Sequence, residues 1–308
     1  AIAIGSSAKV SSSNTIQLGN TSTTLVQTSG TVSATKFVGD GSGLINVNPN
    51  LSDSLNNIKV GTSALASNTT GSNNIAIGLS SLYGNNTGEE NIAIGRSALM
   101  FNVGGQKNIA IGPAALEGNN SSNNNIGIGY ETLFFNDSGD DNIAIGNYAL
   151  KNNKQTKNVA IGSSALTANT SGGINTAVGN NALKANTTGG GNTAIGYDAL
   201  SSNTTGFTNI ALGQNTLKEN TTGTGNTALG YASGQNNTTG GSNTYLGNQT
   251  GTTSGSTISN ATAIGANATV TTSNTVQLGD TNVTLVQTSG TVSATKFVGD
   301  GSGLINVN

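Results

Sequence analysis

The side chains most able to do chemistry in this sequence are carboxylates, because the chain has no histidine and no cysteine. It therefore lacks imidazole, the commonest general base and metal ligand, and any thiolate. The densest acidic group is formed by Glu131, Asp137, Asp140 and Asp141. Ca²⁺ prefers oxygen ligands, so a calcium site is one interpretation of this group. A solvated turn is the other interpretation and the one we favour, so we predict no catalytic, cofactor-binding or metal-binding residue and no enzyme.

Other motifs that could bind a ligand are incomplete. The glycine-rich runs at 171–173 and 188–191 are not followed by a helix with a lysine, as a phosphate-binding loop requires. The GDGSG segment at 39–43 lacks the alternating acids of a calcium loop and favours a tight turn. The net charge is −2, which provides no field for nucleic acid. No apolar run approaches the roughly 20 residues that cross a bilayer, so we expect no direct membrane insertion.

A short phrase ending in glycine, N-x-A-I-G and its variants, recurs along the chain with a nearly fixed period. Successive glycines are 17 residues apart, with one interval of 16 and one of 18. Such a period predicts a solenoid in which each coil packs on its neighbours, and disorder would not require it. The glycine suits a corner where φ is positive or backbones crowd. These corner glycines are Gly78, Gly95, Gly112, Gly129, Gly146, Gly162, Gly179, Gly196, Gly213, Gly230, Gly247 and Gly265.

The three residues before each corner glycine are β-branched, small and aliphatic in turn, which predicts a short strand with period two. We expect the aliphatic residue to fill the core of the coil. We expect the small residue, usually alanine, to face outward and to let another chain approach. Since a 17-residue coil encloses little core, we infer a homo-oligomer. The predicted core aliphatics are Ile77, Ile94, Ile111, Ile128, Ile145, Ile161, Val178, Ile195, Leu212, Leu229, Leu246 and Ile264.

The rest of each coil also repeats by position. A leucine such as Leu82 follows the corner glycine by four residues, and one helical or 3₁₀ turn would fit there. Asparagine at plus seven and glycine at plus ten, as in Asn85 and Gly88, are typical of a turn. Another asparagine, such as Asn91, opens the next strand. Stacked coils predict a ladder of asparagine amides, and the opposite charges Glu90–Lys107 and Asp140–Lys157 would face each other.

A longer repeat encloses the short one, since residues 24–48 return letter for letter as 284–308, an offset of 260. Near both ends the glycine interval shortens to 14. We interpret the chain as one 260-residue module plus an overlap, although a recent duplication without structural meaning is the alternative. The predicted organisation is the end of a preceding roll (1–19), a β-rich connector with a short helical turn (20–66), the roll of 17-residue coils (67–279) and the start of the next connector (280–308).

The 14-residue coil in AIGANATVTTSNTVQLG resembles the head repeat of trimeric autotransporter adhesins. The connector GTVSATKFVGDGSGLINV resembles segments of phage tail fibres and large bacterial surface fibres. The first resemblance implies a left-handed parallel β-roll and a homotrimer. The 17-residue coil departs from the 14-residue adhesin pattern by a short insertion, which changes the cross-section of the coil.

The residue after the corner glycine varies freely, which indicates an outward position. At this position, Tyr130, Tyr197 and Tyr231 are candidate contacts to a cell-surface or polysaccharide receptor. The alternative, which we favour, is that these tyrosines are surface residues without a binding role. We predict an all-β, parallel β-solenoid that serves as the structural shaft of an extracellular fibre or adhesin on a bacterial surface. A phage tail fibre in the virion is the alternative. A polysaccharide-degrading β-helix would need carboxylates grouped on one face of adjacent coils, and the acids here are scattered.

Overall fold

The computed structural model describes residues 2–4, 16–18, 52–283, 285–296 and 298, and none of these residues is in a helix. The chain divides into two units, 1–49 and 50–308. In the first unit, β1 (Ile2–Ile4) pairs in parallel with β2 (Ile16–Leu18), and Ile2 lies opposite Ile16. The predicted 14-residue interval is therefore confirmed there. The connector predicted at 20–48 lies outside the described residues.

The second unit is built on one parallel sheet of 14 strands, with a second sheet of two strands beside it. Every neighbouring pair in the large sheet is parallel, so the predicted parallel β-solenoid is confirmed. The small sheet is formed by β15 (Gly251–Thr252) and β17 (Thr269–Val270). The strands of the large sheet are β3 (Ile58–Val60), β4 (Ile75–Ile77), β5 (Ile92–Ile94), β6 (Ile109–Ile111), β7 (Ile126–Ile128), β8 (Ile143–Ile145), β9 (Val159–Ile161), β10 (Thr176–Val178), β11 (Thr193–Ile195), β12 (Ile210–Leu212), β13 (Thr227–Leu229), β14 (Thr244–Leu246), β16 (Thr262–Ile264) and β18 (Val276–Leu278).

The register of the strands follows the glycine intervals. Most neighbours pair at an offset of 17 residues, β8 and β9 pair at 16, and β14 and β16 pair at 18. The last pair, β16 and β18, has the short offset of 14. The large sheet already begins at Ile58, which lies within the predicted connector segment 20–66. After Leu278, the residues that the structure describes contain no strand.

The interior of most coils is filled by alanine and leucine, and not by the aliphatic residue before the corner glycine. Ala76 is fully buried, whereas Ile77 of the same strand is 37% exposed. Leu82, four residues after the corner glycine, is also fully buried and takes the space opposite the strand. Because a 17-residue coil is thin, only a methyl group fits between such a leucine and the sheet.

The prediction that the aliphatic residues form the core of the chain is therefore wrong, as is the prediction that the alanines face outward. The strands alternate as expected, but with the opposite face inside. None of the twelve predicted core residues is buried: Ile77, Ile94, Ile111, Ile128, Ile145, Ile161, Val178, Ile195, Leu212, Leu229, Leu246 and Ile264 are all partly exposed.

Each corner glycine has a positive φ, from 109° at Gly265 to 141° at Gly196. The corner is also crowded, since a Cβ atom at Gly196 would lie 2.3 Å from the carbonyl oxygen of Gly213 in the next coil. Both conditions exclude side chains. The glycine thus lets the chain turn out of the strand while neighbouring coils stay at strand spacing.

The segment after the corner is a pair of β-turns and not the helical or 3₁₀ turn that we predicted. Ser80 and Leu82 both have positive φ, at 55° and 48°. The N–H groups of these two residues point in opposite directions along the stack, while the Ser81 N–H between them donates to Gly78 O in the same coil. The Ser80 N–H donates to Thr62 O in the preceding coil, and the Leu82 N–H donates to Ala98 O in the next. A helical turn would use these donors within the coil, so the left-handed residues convert a local turn into inter-coil bonding.

Two ladders of buried asparagines join the coils, which confirms the predicted amide stacking and doubles it. In the first ladder, Asn192 Nδ2 donates to Asn175 Oδ1 at 3.2 Å and to Gly206 O at 2.9 Å. In the second, Asn203 Nδ2 donates to Asn186 Oδ1 and to the same Gly206 O, each at 2.9 Å. The first ladder is Asn57, Asn74, Asn91, Asn108, Asn125, Asn142, Asn158, Asn175, Asn192, Asn209, Asn226 and Asn243; the second includes Asn85, Asn102, Asn119, Asn136, Asn153, Asn169, Asn186, Asn203, Asn220 and Asn237.

Asp53 completes the N-terminal end of the first ladder. Its Oδ1 accepts the Asn57 N–H at 3.0 Å and the Leu55 N–H at 2.9 Å, and its Oδ2 accepts Asn57 Nδ2 at 3.3 Å. In later coils the side-chain Oδ1 of the preceding asparagine accepts both the backbone N–H and the Nδ2 of the next asparagine. Asn57 Oδ1, for example, accepts both groups of Asn74. The short helical turn predicted before the roll is instead a β-turn that carries this cap.

The predicted charge pairs between coils do not form, although the backbone register is as expected. The Lys157 N–H donates to Asp140 O at 3.0 Å, so the two residues do lie in adjacent coils. The Asp140 carboxylate, however, accepts the Asn123 N–H of the preceding coil at 2.6 Å and points away from Lys157. Glu90–Lys107 is likewise absent from the ion pairs of the described residues, which are Lys151–Glu131 at 2.6 Å and Lys218–Asp198 at 3.0 Å.

Candidate functional site

The outer face of the large sheet is an apolar surface that extends along all its coils. Because alanine points inward, the residues on either side of it in each strand point outward. In β4 these are Ile75 and Ile77, and in β12 they are Ile210 and Leu212. We call the two resulting lines of side chains the outer rows. Contiguous apolar patches of this size are uncommon on the exposed surface of a monomeric protein.

The two outer rows differ along the chain. The row next to the corner glycine is Ile, Val or Leu in every strand from β4 to β18 except the short pair β15 and β17. The other row is Ile or Val in β4 to β9 and mostly Thr from β10 to β16. The apolar surface is therefore wider in the first half of the sheet and narrows to one continuous row in the second half.

The three tyrosines singled out from the sequence lie on the surface but are not brought together. Tyr197 is 51% exposed, and Tyr231 is similarly exposed two coils further on. Tyr130 belongs to a cluster of its own, where its ring packs edge-on against Tyr148 with the ring centres 5.3 Å apart. Lys151 Nζ lies 5.3 Å from the centre of the Tyr148 ring. The register is shared by all three tyrosines, but only Tyr130 is part of a built arrangement.

Electrostatics in this cluster couple Glu131 to its neighbours. Lys151 Nζ lies 2.6 Å from Glu131 Oε2, and this hydrogen bond, followed by one from Tyr130, holds the pKa of Glu131 below its usual value. The same Glu131 hydrogen bond raises the pKa of Tyr130. Burial raises the pKa of Glu117, and the nearby Arg96 opposes that shift. These are interactions of a structural ion pair with its surroundings.

The acidic group that suggested calcium is divided among separate hydrogen bonds. Asp141 Oδ1 accepts Asn124 Nδ2 at 3.2 Å, and Asp137 Oδ1 accepts the Ser138 hydroxyl at 3.2 Å. Glu131 is paired with Lys151, and Asp140 with a backbone N–H. Within the described parts of the chain, no three acidic side chains converge as metal ligands would.

Sequence reasoning missed the exposed phenylalanines. Phe101 and Phe135 both follow a corner glycine by six residues, and each is about half exposed. The coils between and before them have Gly118 and Gly84 at this position. That alternation of glycine and phenylalanine is visible in the sequence over the four coils from Gly84 to Phe135.

The comparisons add no family to this description: no protein-family model matches the sequence, and no curated protein matches it either. In the part of the chain that the structure describes, no helix is long and apolar enough to cross a membrane. The fold itself defines the class, which is a repeat protein with a parallel β-solenoid of about 17 residues per coil.

Proposed function

We propose that this chain is a structural shaft module of an extracellular fibre or adhesin, and that it assembles with copies of itself through the outer rows. The observation that supports this most is the unbroken aliphatic row beside the corner glycines. A single chain leaves that row partly exposed along the whole sheet, and apolar surface in contact with water is unfavourable in free energy. Association of identical chains would bury it in every coil at once. The resemblance to adhesin heads favours three chains.

The role is length and attachment rather than catalysis. Fourteen strands at the usual spacing give a sheet roughly 60 Å long. The 260-residue repeat would let a longer protein extend by adding modules, and a bacterial cell surface is the proposed location. The module has no proposed cofactor, and its proposed partners are its own copies and a receptor at the cell surface or in a polysaccharide.

A phage tail fibre is the second candidate. It is favoured by the connector GTVSATKFVGDGSGLINV at both ends of the module, which resembles segments of such fibres. The flanking sequence discriminates between the two: a secretion signal favours the cell-surface fibre, and a self-cleaving C-terminal chaperone favours the virion.

The assembly is tested by measuring mass in solution by sedimentation equilibrium. We expect about three times the chain mass of 30.4 kDa. Replacing Ile145 and Ile195 together by lysine places charges in the aliphatic row and should reduce the mass to that of one chain. The matched control replaces the exposed Thr205 and Thr222 by lysine and should leave the oligomer intact. A wild-type chain that stays monomeric at high concentration would contradict the proposal.

A further inference from the structure

A groove runs along the solenoid axis between two lines of side chains on one corner of the coils. The lines are the sixth and eighth residues after the corner glycine, and the buried second asparagine ladder lies at the seventh residue beneath them. The groove encloses about 320 Å³ and spans four successive coils. It is lined by Gly118, Phe135, Asp137, Asn152, Lys154 and Thr170.

Phe135 provides a fixed aromatic surface in this groove. Its side chain is 49% exposed, and its ring packs edge-on against Phe134 with the ring centres 4.5 Å apart. Its backbone N–H donates to Lys151 O in the next coil at 2.9 Å. The backbone that carries the ring is therefore held by the next coil, and this preorganisation lowers the entropy lost on binding.

A second aromatic surface lies in line with the first, one coil before Gly118 and beyond the residues that line the groove itself. Phe101 occupies the same position two coils earlier and is 52% exposed. Two strand spacings separate the two positions, roughly 9.5 Å. Gly118 lies between them and contributes no side chain, so the floor between the two rings stays open. A Cβ atom there would lie 2.8 Å from Phe134 O, which explains why the position is glycine.

Polar groups of several kinds line the other side of the groove. Asp137 supplies a carboxylate that the Ser138 hydroxyl holds at 3.2 Å, and Lys154 supplies an ammonium group. Asn152 is fixed by its Nδ2, which donates to Thr167 O at 2.9 Å. Thr170 closes the far end of the groove, where its Oγ1 donates to Thr187 O of the next coil at 3.1 Å. An apolar surface with a few positioned donors and acceptors is the usual composition of a small-ligand site.

We infer that this groove binds a linear β-1,4-linked glycan, an inference that rests on the proposed role in surface attachment. A pyranose ring stacks its C–H face on an aromatic side chain while its equatorial hydroxyls bond to carboxylate and amide groups. In an extended β-1,4-linked chain, alternate sugars present the same face at a spacing close to that between Phe101 and Phe135. A folded protein partner would need about 800 Å² on each side, which is far more than this narrow groove offers.

The rest of the solenoid does not repeat these features. In the later coils the sixth position has no aromatic residue and is Ala168, Ala185, Ser202, Glu219 and Asn236 in turn, and the eighth is threonine, as at Thr187 and Thr204. Those threonine hydroxyls are used between coils, since Thr187 Oγ1 donates to Thr204 O at 3.0 Å. The proposed site is thus confined to the coils from about residue 95 to 170.

Isothermal titration calorimetry of the full chain with cellohexaose and with chitohexaose tests the inference, because the two probes share the linkage and differ at one substituent. We expect saturable binding of at least one, weakened roughly tenfold by Phe135→Ala, which removes an aromatic contact. Phe101→Ala should weaken binding of the hexasaccharide but not of the matching disaccharide, which is too short to reach both rings. Asp137→Asn should weaken binding of both the hexasaccharide and the disaccharide. Phe207→Ala is the matched control, since Phe207 is 54% exposed and lies outside the groove, and it should bind as wild type does.

Three results would overturn the inference: no saturable binding of either hexasaccharide by the wild-type chain, equal loss in Phe207→Ala and Phe135→Ala, or equal binding of the α-1,4-linked maltohexaose. Sedimentation of the same samples separates this failure from failure of the proposed function. An intact oligomer without glycan binding would reject the groove alone, whereas a wild-type monomer would reject the shaft assembly whatever the calorimetry gives.

Discussion

At the scale of single residues, the coils are joined by hydrogen bonds to side-chain oxygens, and an amide or a carboxylate can serve as the acceptor. Asn57 donates to Asp53 just as Asn74 donates to Asn57, so a carboxylate serves where no earlier rung is available. Buried polar groups left without a partner cost about 1–3 kcal/mol each. A solenoid therefore needs a cap at the end of such a ladder, and Asp53 meets that need.

The cap makes the first coil sensitive to acid. The backbone hydrogen bond from Asn57 is the main reason that the pKa of Asp53 is below its usual value. A carboxyl whose pKa is lower in the folded state stabilises that state above its unfolded pKa, near 3.9, and the stabilisation is lost as pH falls through the folded value. We predict that amide hydrogen exchange at Asn57 and Asn74, corrected for intrinsic rates, accelerates as pH falls below about 4.

Asp53→Asn provides the control for this prediction, because it keeps an oxygen acceptor that cannot titrate. Exchange in its first coil should be almost independent of pH over the same range. If the variant and the wild type accelerate alike on acidification, the cap does not act through the Asp53 carboxylate.

At the scale of the coil, one departure from the pattern reveals the rule for the interior. Tyr245 stands where most strands have alanine, and it is almost fully buried. Gly234 stands where most coils have leucine, and a Cβ atom there would lie 2.6 Å from Tyr245 Cδ2. The tyrosine ring thus occupies the volume that leucine fills elsewhere, and burial raises the pKa of its phenol.

We predict that the Tyr245–Gly234 pair can be replaced by the usual alanine–leucine pair through two substitutions together, but not through either one alone. Tyr245→Ala alone leaves a cavity and should lower the free energy of unfolding by about 3–5 kcal/mol. Gly234→Leu alone should also destabilise, by about 1–3 kcal/mol or more, because the leucine overlaps the ring. The double variant restores the common pair and should be more stable than either single variant. Urea unfolding measures all three, and strictly additive losses would contradict shared volume.

The coil also shows which features of the fold a single sequence can predict. The glycine period located the strands and their register because every coil must return to the same corner. It could not decide which face is inside, since Ala76 and Ile77 satisfy period two in either orientation. Which face lies inside depends on the width of the coil interior. Leu82 takes up most of that width, so only a small residue such as Ala76 fits opposite it. The coincidence of Tyr245 with Gly234 is the sequence signal that links the alanine and leucine positions.

The groove was not predictable, because its lining residues are up to 52 positions apart (118 to 170) and meet only when coils stack.

At the scale of the whole molecule, stability should be local, since each coil contacts mainly its neighbours. Asn192→Ala removes the acceptor of both the Asn209 N–H and Asn209 Nδ2, at 3.0 and 3.1 Å, inside the stack. We predict faster amide exchange in β10 to β12, while β4 and β16 keep wild-type protection. Hydrogen-exchange mass spectrometry resolves these segments.

The exposed Asn248→Ala is the control and should change none of them. Uniform loss of protection along the sheet in Asn192→Ala would instead mean that the solenoid opens as one cooperative unit.

The parallel, in-register stacking of the coils has a mechanical consequence. The hydrogen bonds between strands point along the solenoid axis, so a pull on the two ends loads them in tension one coil at a time rather than all together in shear. Each 17-residue coil that opens would release up to roughly 60 Å of chain. A solenoid of this kind would yield in many small steps and close again when the load falls, so it would absorb force as it extends.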